Sequence, residues 1–260
     1  MPTQKPRSLL RIEYEESAEA YLRSLPPEHF MEATAQGRQR EITLESLALV
    51  KARRADLHVF NELLVQYPRR GQPAIGKVVP DNMVVVWPEP IQAKGSYDLP
   101  FQPVGPLWML EYVSKYNKRK DYEDNMQKYE RELKVPYYLL FYPDAIELTL
   151  YRLRGRKYRS VPPNEQGRHA VEPLEMEVAL LDDWVRFWYK GELLPLPADL
   201  QRDLDETKRQ LRKMTRRAEE QTRRAEEQTR RAEEQTRRAE TAEQEIHRLQ
   251  AELERLRGTS

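Results

Sequence analysis

The sequence predicts an α/β domain that ends near residue 198, followed by one long helix. Three observations support this division. All 19 prolines lie at or before Pro197, and a helix interior does not accommodate proline. From Leu204 to Leu256, apolar and small residues keep a strict seven-residue register, which is typical of a helix that supercoils with a partner. Before residue 198, helical and strand patterns alternate along the chain, as they do in α/β and α+β folds.

The elements of the domain follow from hydrophobic periodicity and from turn residues. We expect an irregular arm over residues 1–27, with a short helical patch around Glu15–Arg23, and a domain over residues 28–198. Within the domain the patterns predict a buried helix at 36–54, strands at 59–67, 81–87, 107–113 and 135–143, a helix at 118–133 that Asn117 caps, and a hairpin around Gly155. Trp184, Phe187 and Trp188 are expected to pack over the core.

The composition excludes several classes of protein and several kinds of site. The formal net charge of the 260 residues is +1, which by itself indicates neither an acidic nor a basic partner. No window approaches 18 apolar residues, and the N-terminus has no apolar run of signal-peptide length, so we expect a cytoplasmic protein without a membrane-spanning segment. The absence of cysteine excludes disulfides, thiolate metal sites and a cysteine nucleophile.

The C-terminal pattern, over residues 199–257, predicts a charged helical rod. Its heptad TRRAEEQ repeats without change from Thr215 to Gln235, and its glutamates precede arginines by four residues, the favourable orientation for intrahelical ion pairs. Leucine, methionine and isoleucine occupy the seam near both ends, whereas alanine and glutamine occupy the middle. Two interpretations remain open: a parallel homodimer held together by this coiled coil, and a single charged helix that serves as a spacer.

Two acidic residues lie at unusual positions. Glu111 interrupts an apolar strand, and Asp81 opens another strand directly after Pro80. Singly, Glu111 could face solvent at a strand end and Asp81 could be an ordinary turn residue. Together they place two carboxylates at the ends of neighbouring strands, and a basic run follows at Lys115, Lys118, Arg119 and Lys120. Paired carboxylates bind Mg²⁺ or Mn²⁺ through oxygen, so the combination suits metal-assisted phosphodiester hydrolysis.

The segments around these acids resemble the Uma-two family of the PD-(D/E)XK nuclease superfamily. The family pattern has Pro-Asp opening one strand, Glu-Val-x-Ser ending the next, a helix with Asp, Lys and Tyr at four-residue spacing, and a Val-Pro-x-Tyr-x-Leu strand. Over residues 30–190 the chain matches it at Pro80, Asp81, Glu111, Ser114, Asp121, Tyr129, Val135, Pro136, Tyr138 and Leu139. The resemblance implies a restriction-endonuclease-like αβββαβ core with a mixed sheet, a Mg²⁺-type cofactor and DNA as substrate.

One position departs from the family pattern. Asn125 stands where the pattern has lysine, four residues after Asp121 and four before Tyr129. Asparagine can position a water or a phosphate, but it carries no charge. Lys115 is the best-placed substitute, and Lys118, Lys120 and Lys128 are alternatives. The candidate catalytic residues are therefore Asp81, Glu111, Lys115 and Asn125, of which Asp81 and Glu111 would hold the metal.

Two functional hypotheses follow from these residues. The first is a metal-dependent DNA endonuclease that the rod joins into a dimer, so that two sites could cut both strands of a duplex. The second is a decayed nuclease fold that binds nucleic acid or a protein partner and oligomerises through the rod. Asn125 favours the second hypothesis, whereas the retention of Asp81 and Glu111 favours the first. Weaker candidates are Glu41, Glu45 and Glu62 as further acids, while the four histidines show no metal-binding spacing.

Overall fold

The structure, a computed structural model, describes residues 5–25, 34–69, 71, 74–113 and 120–257, with the backbone alone at 120–122, 247 and 252–257. The chain divides into two compact units, residues 1–197 and residues 198–260. In its described part, the first unit contains two α-helices, thirteen strands and short 3₁₀ and π-helical segments. The second unit is a single helix.

Two helices precede the first strand. The helix α1 (Arg7–Ser24) buries Tyr14 and Ala18, and the Tyr14 carbonyl accepts a hydrogen bond from Gln66 Nε2 at 2.8 Å. The short helical patch expected around Glu15–Arg23 lies within α1, but the irregular structure expected before it is wrong from residue 7 onward. Two buried residues give a helix little hydrophobic periodicity, so its start was not detected. The helix α2 (Thr34–Lys51) matches the prediction within a few residues and buries one face, on which polar side chains accompany Ile42, Leu47 and Val50.

The strands are short and fall into three sheets. In chain order they are β1 (Leu57–Asn61), β2 (Leu64–Pro68), β3 (Ile75–Val78), β4 (Asn82–Val86), β5 (Ser96–Asp98), β6 (Trp108–Tyr112), β7 (Tyr137–Tyr142), β8 (Glu147–Arg154), β9 (Lys157–Ser160), β10 (His169–Val171), β11 (Met176–Leu181), β12 (Trp184–Tyr189) and β13 (Glu192–Leu193).

A six-stranded mixed sheet with the order β1-β4-β6-β7-β8-β9 forms the centre of the first unit. Its β6–β7 pair is parallel, with Glu111 opposite Leu140, and its other four pairs are antiparallel. A helical crossover joins β6 to β7, as a parallel pair requires. The succession of α2, β1, β4, β6, crossover and β7 is the predicted αβββαβ core. The sheets β3-β2-β5 and β10-β11-β12-β13 complete the unit.

The strand predicted at 59–67 is wrong in one respect, because the segment forms two strands in two different sheets. Glu62 lies between β1 and β2 and has a φ of 47°, in the left-handed region, where the chain turns out of one sheet and into the next. No glycine or proline marks this break. Its position depends on the pairing of β1 with β4 and of β2 with β3 and β5.

The central sheet is buried on both faces. Trp108 and Leu110 of β6 pack in one core with α2 and the four-stranded sheet, which includes Phe187. Met109 packs in a second core with the three-stranded sheet and with Tyr129 of the crossover. Burial on both faces explains the nearly continuous apolar runs of β6 and β7. Any polar side chain in β6 must therefore find its partners inside the protein.

The crossover differs from the predicted α-helix. Two π-helical segments, Lys120–Asn125 and Lys128–Leu133, flank a short α-helical piece, and Lys134 ends the helix with a φ of 54°. Residues spaced by four lie on the same face of a helix, and π-helical irregularities often occur at functional sites. Asn125 and Tyr129 have this spacing. The predicted cap, Asn117, lies outside the described residues.

The second unit consists of α3 (Pro197–Arg257), which confirms the predicted long C-terminal helix. Every described side chain from residue 200 to residue 251 is exposed. Intrahelical ion pairs join Arg231 to Glu227 and Arg238 to Glu234, each at 2.7 Å. None of the described helices is both long and apolar enough to cross a membrane. Pairing of α3 with a partner remains a prediction.

Candidate active site

Asp81 and Glu111 lie next to each other because β4 pairs with β6. In this antiparallel pair Asn82 is opposite Leu110, so Asp81, the residue before β4, lies beside Glu111. The Asp81 backbone N–H donates to Glu111 Oε2 at 3.3 Å. The Tyr112 backbone N–H in turn donates to Asp81 Oδ2 at 2.6 Å. The strand register therefore brings together the two acids that the sequence singled out.

Glu111 is a buried carboxylate, with only 4% of the residue exposed. Its Oε1 accepts hydrogen bonds from Asn125 Nδ2 at 3.0 Å and from the Tyr129 hydroxyl at 2.5 Å. The interpretation of Glu111 as a solvent-facing residue at a strand end is wrong. Burial, together with the nearby Glu111 charge, raises the pKa of Tyr129 well above its usual value, so this hydroxyl stays protonated and donates.

Asp81 lies between a backbone donor and a guanidinium. Burial raises the pKa of Asp81, and the Tyr112 N–H and the charge of Arg40 oppose that rise. Arg40 Nη2 donates to Asp81 Oδ1 at 3.1 Å, so each oxygen of Asp81 accepts from a different donor. The interpretation of Asp81 as an ordinary turn residue does not account for these contacts.

Arg40 is the cation that sequence analysis missed. It projects from α2, its side chain is 15% exposed, and its Nη1 also pairs with Glu62 Oε1 at 3.0 Å. Glu62, one of the weaker acid candidates, is 54% exposed and donates its backbone N–H to the Asp81 carbonyl at 3.2 Å. Because the sequence contains 44 lysines and arginines, nothing in its pattern distinguished this one.

Buried polar contacts fix α2 beside the site. The side-chain amide of Gln39 bonds both backbone groups of Val185 in β12, donating to the carbonyl at 3.1 Å and accepting from the N–H at 2.9 Å. The Tyr112 hydroxyl donates to Asn82 Oδ1 at 2.7 Å and lies 2.6 Å from Thr43 Oγ1 on α2. Since α2 carries Arg40, these contacts set the position of the guanidinium relative to Asp81.

Comparison with known proteins identifies the family of the chain. The family described as "Uma2: Putative restriction endonuclease" matches residues 20–181. The chain belongs to the Uma2 family. It is also similar to a crystal structure described as a putative nuclease belonging to DUF820 from Anabaena variabilis, at 16% identity and a TM-score of 0.42, over 55% of this chain and 75% of that chain. No curated protein matches the sequence.

The Uma2 pattern residues can now be placed. Tyr129 contacts Glu111, and Tyr138 packs on the Tyr129 ring at a centroid distance of 5.1 Å. Asn125, which replaces the Uma2 lysine, is fully buried and bonded to Glu111. Lys115, the predicted substitute cation, lies outside the described residues, as do Ser114, Lys118 and Arg119, and the side chains of Lys120 and Asp121 are likewise not described.

The remaining candidates have other partners. Glu41 is exposed and pairs with Arg38 at 2.5 Å, whereas burial raises the pKa of Glu45. The imidazole of His58 lies 2.9 Å from the Trp87 carbonyl, and that of His169 lies 2.7 Å from the Val161 carbonyl. These histidines therefore have structural contacts. Across the described part of the chain, no group of three or more His, Cys, Asp or Glu side chains could hold a metal ion.

The donor chemistry of the pair fits a magnesium-type ion. Mg²⁺ is typically bound by one or two carboxylates and keeps several waters, so it does not require a cage of three or more protein ligands. Asp81 and Glu111 supply hard carboxylate oxygens, and backbone or buried side-chain donors orient both groups. Structural zinc sites, in contrast, take four protein ligands, typically thiolates and imidazoles.

Proposed function

We propose that the first unit is a divalent-metal-dependent DNA endonuclease, with Asp81 and Glu111 as the ligands of a Mg²⁺ or Mn²⁺ ion. The observation that carries this proposal is the contact from the Asp81 backbone N–H to Glu111 Oε2, since it makes these two acidic residues direct neighbours. Membership in the Uma2 family supports the reaction class and DNA as the substrate. A bound Mg²⁺-type ion would supply charge stabilisation and a reactive water for phosphodiester hydrolysis.

The residues around the pair have separate roles in this proposal. The Tyr112 N–H orients Asp81, and Asn125 and Tyr129 orient Glu111. These three donors of fixed position would keep the carboxylates in place, so that little reorganisation would accompany the reaction. Asn125 serves here as a positioning residue for Glu111.

Arg40 would supply the positive charge that Asn125 cannot. A guanidinium recognises phosphate oxygens through two parallel N–H donors and stays charged at any physiological pH. Arg40 lies in contact with Asp81, and its partner Glu62 is more than half exposed. A phosphate that displaced Glu62 from Arg40 Nη1 would lie beside the metal ligands. Lys115, which directly follows Ser114, remains the other candidate for this role.

A second function has support from the same contacts. Asn125 has no charge and its amide is bonded to Glu111, while Arg40 neutralises Asp81. A site whose acids are both engaged by protein donors also suits a decayed nuclease fold that binds nucleic acid or a protein without cleaving. This alternative predicts DNA binding that does not require a divalent ion.

Plasmid cleavage distinguishes the two functions. Purified protein in Mg²⁺ or Mn²⁺ should nick supercoiled DNA, and Asp81→Asn and Glu111→Gln should abolish nicking. Glu165→Gln, at an exposed position in a turn, is the matched control and should cut like the wild type. Retention of nicking in both site variants would contradict the proposed site. A wild type that binds DNA with or without metal but never nicks it would favour the decayed nuclease.

We also propose that the protein acts as a homodimer through the helix over residues 199–257. Two nuclease units held on one pair of helices could act on both strands of a duplex. The heptad register and the exposed apolar residues of α3 support this assembly.

A further inference from the structure

The exposed helix α3 carries a two-row seam that is apolar at both ends and consists of alanine and glutamine in its middle. Its large apolar side chains are between 45% and 68% exposed, at Leu200, Leu204, Leu211, Met214, Ile246 and Leu249. They belong to two rows in which the positions recur every seven residues. We name the row that begins at Leu204 row a and the row that begins at Leu200 row d. Since a two-row seam of this kind is buried in coiled coils by the same seam of a partner helix, α3 presents a surface for a second copy of itself.

The charges beside the seam discriminate between the two directions of pairing. We name the residue before each a position g, and the residue after each d position e. In a parallel pair, each g residue lies beside the e residue five positions later in the other chain. Asp203 then faces Lys208 of the second copy, and Arg238 faces Glu243 of the second copy. Both contacts join opposite charges, and the twofold symmetry forms each of them twice.

The other parallel contacts between residues 203 and 250 are neutral. The central arginines at g face threonines at e of the second copy, and no g–e contact between residues 203 and 250 joins like charges. In an antiparallel pair, g residues lie beside g residues and e residues beside e residues. The e residues of the identical heptads are threonines, and only Lys208 and Glu243 would form an opposite-charge contact among the e positions. The arginines of the identical heptads would then face one another, at Arg217, Arg224, Arg231 and Arg238. Repulsion between like charges at these positions disfavours the antiparallel direction.

The ends of the seam fix the register. Because the heptad repeats verbatim from Thr215 to Gln235, a shift of seven residues leaves most of the central layers unchanged. The same shift places Leu211 opposite Ala218 and Ile246 opposite Ala239, so large apolar side chains lose their matching partners. Burial of apolar area is greatest when each large residue meets its own copy. The in-register pairing is therefore favoured over its shifted alternatives.

We propose that α3 forms a parallel, in-register, two-chain coiled coil, in which the g and e charges choose the direction and the apolar ends fix the register. Each α3 begins at Pro197, so a parallel coil attaches both first units at the same end. This inference rests on the proposed homodimer and does not depend on nuclease activity.

Single cysteines test the direction in the full chain, which contains no cysteine of its own. Ala225→Cys places a thiol at an a position, and Arg223→Cys places one on the opposite face as a matched control. In a glutathione redox buffer, the first variant should be mostly disulfide-linked and the control mostly reduced. A protein with the mass of two chains by light scattering, but without a link at residue 225, would overturn the parallel in-register arrangement. A mass of one chain or three would overturn the two-chain coil.

A charge exchange tests the contacts that choose the direction. Asp203→Lys should place lysine beside Lys208 of the second copy and raise the dimer dissociation constant on the order of tenfold at low salt. Adding Lys208→Asp to that variant restores opposite charges and should restore the wild-type constant. High salt should reduce the effect of the single change. If the double variant is weaker than Asp203→Lys, these residues do not face each other and the parallel pairing is wrong.

Discussion

The guanidinium of Arg40 contacts the carboxylate of Asp81, with 3.1 Å between Nη2 and Oδ1. The two residues are 41 positions apart and belong to different elements, α2 and the turn before β4. The same guanidinium pairs with Glu62, so one cation lies between a proposed metal ligand and an exposed acid. Arg40 therefore brings a positive charge to the site from α2, an element from which the family pattern takes no cation.

Substitution of Arg40 tests its part in the reaction. Arg40→Gln should lower the rate of DNA cleavage on the order of 10²–10³, because a positioned charge near the reacting phosphate is lost. Mn²⁺ affinity, measured by calorimetry, should not fall, since the lost cation repelled the metal. Lys115→Ala is the parallel variant, and a larger loss there would assign the role to Lys115. Weakened Mn²⁺ binding in Arg40→Gln would instead make Arg40 a residue that only positions Asp81.

Removal of the Tyr129 hydroxyl tests whether this group stabilises and orients the Glu111 carboxylate. Tyr129→Phe leaves a buried carboxylate without one of its donors and should cost about 1–3 kcal/mol of unfolding free energy. It should also weaken Mn²⁺ binding, because Glu111 is then less well oriented. Tyr158→Phe is the matched control, since that buried hydroxyl donates to the Val135 carbonyl. The control variant should be less stable in urea than the wild type but should bind Mn²⁺ with the same affinity. Equal Mn²⁺ affinities in all three proteins would contradict the role of Tyr129.

The pH dependence of stability should include a contribution from Glu130. Burial acts to raise the pKa of Glu130, but the Tyr158 N–H and the Lys157 ammonium outweigh it, so the net pKa is lowered. A lowered pKa in the folded state stabilises the protein above the unfolded pKa, near 4.5, and that contribution is lost as the pH falls through the folded value. Glu130→Gln should therefore be less stable than wild type in urea at pH 7, and the difference should shrink on acidification. A difference that is constant from pH 7 to pH 3 would contradict this account.

Asn125→Lys tests whether the site has decayed. The variant restores the family residue and places an ammonium where the Asn125 amide now contacts Glu111. If wild type binds Mn²⁺ but does not nick DNA, this variant should gain metal-dependent nicking. Asn125→Gln keeps an amide and should not gain it. A folded, metal-binding Asn125→Lys protein that is inactive, beside an inactive wild type, would count against the nuclease hypothesis.

Truncation after residue 200 tests the independence of the two units. The first unit has its own buried cores on both faces of the central sheet, so the truncated protein should stay folded by circular dichroism. It should also have the mass of one chain by light scattering, because it lacks the proposed pairing surface. A folded truncation with the oligomeric state of the full chain would remove α3 from the assembly.

The sequence by itself determined the features that depend on a repeat or on residues close to one another along the chain. The heptad register and the position of the last proline predicted α3. A β-branched run located β4, and runs of apolar and aromatic residues located β6 and β7, each within one or two residues. Asp81 and Glu111 could be singled out because a carboxylate in an apolar run is costly unless it has partners. Such signals depend only on neighbours along the chain, and periodicity in the sequence is sufficient to detect them.

Only the tertiary structure decided which groups surround those carboxylates. Arg40 reaches Asp81 because Gln39 holds α2 against β12, 146 residues further along the chain. The break at Glu62 likewise depends on pairing partners in two different sheets. In a sequence, an arginine on a helix looks the same whatever it contacts in the folded protein. The same is true of an apolar run without glycine. Their roles arise from contacts between distant segments, which local patterns do not encode.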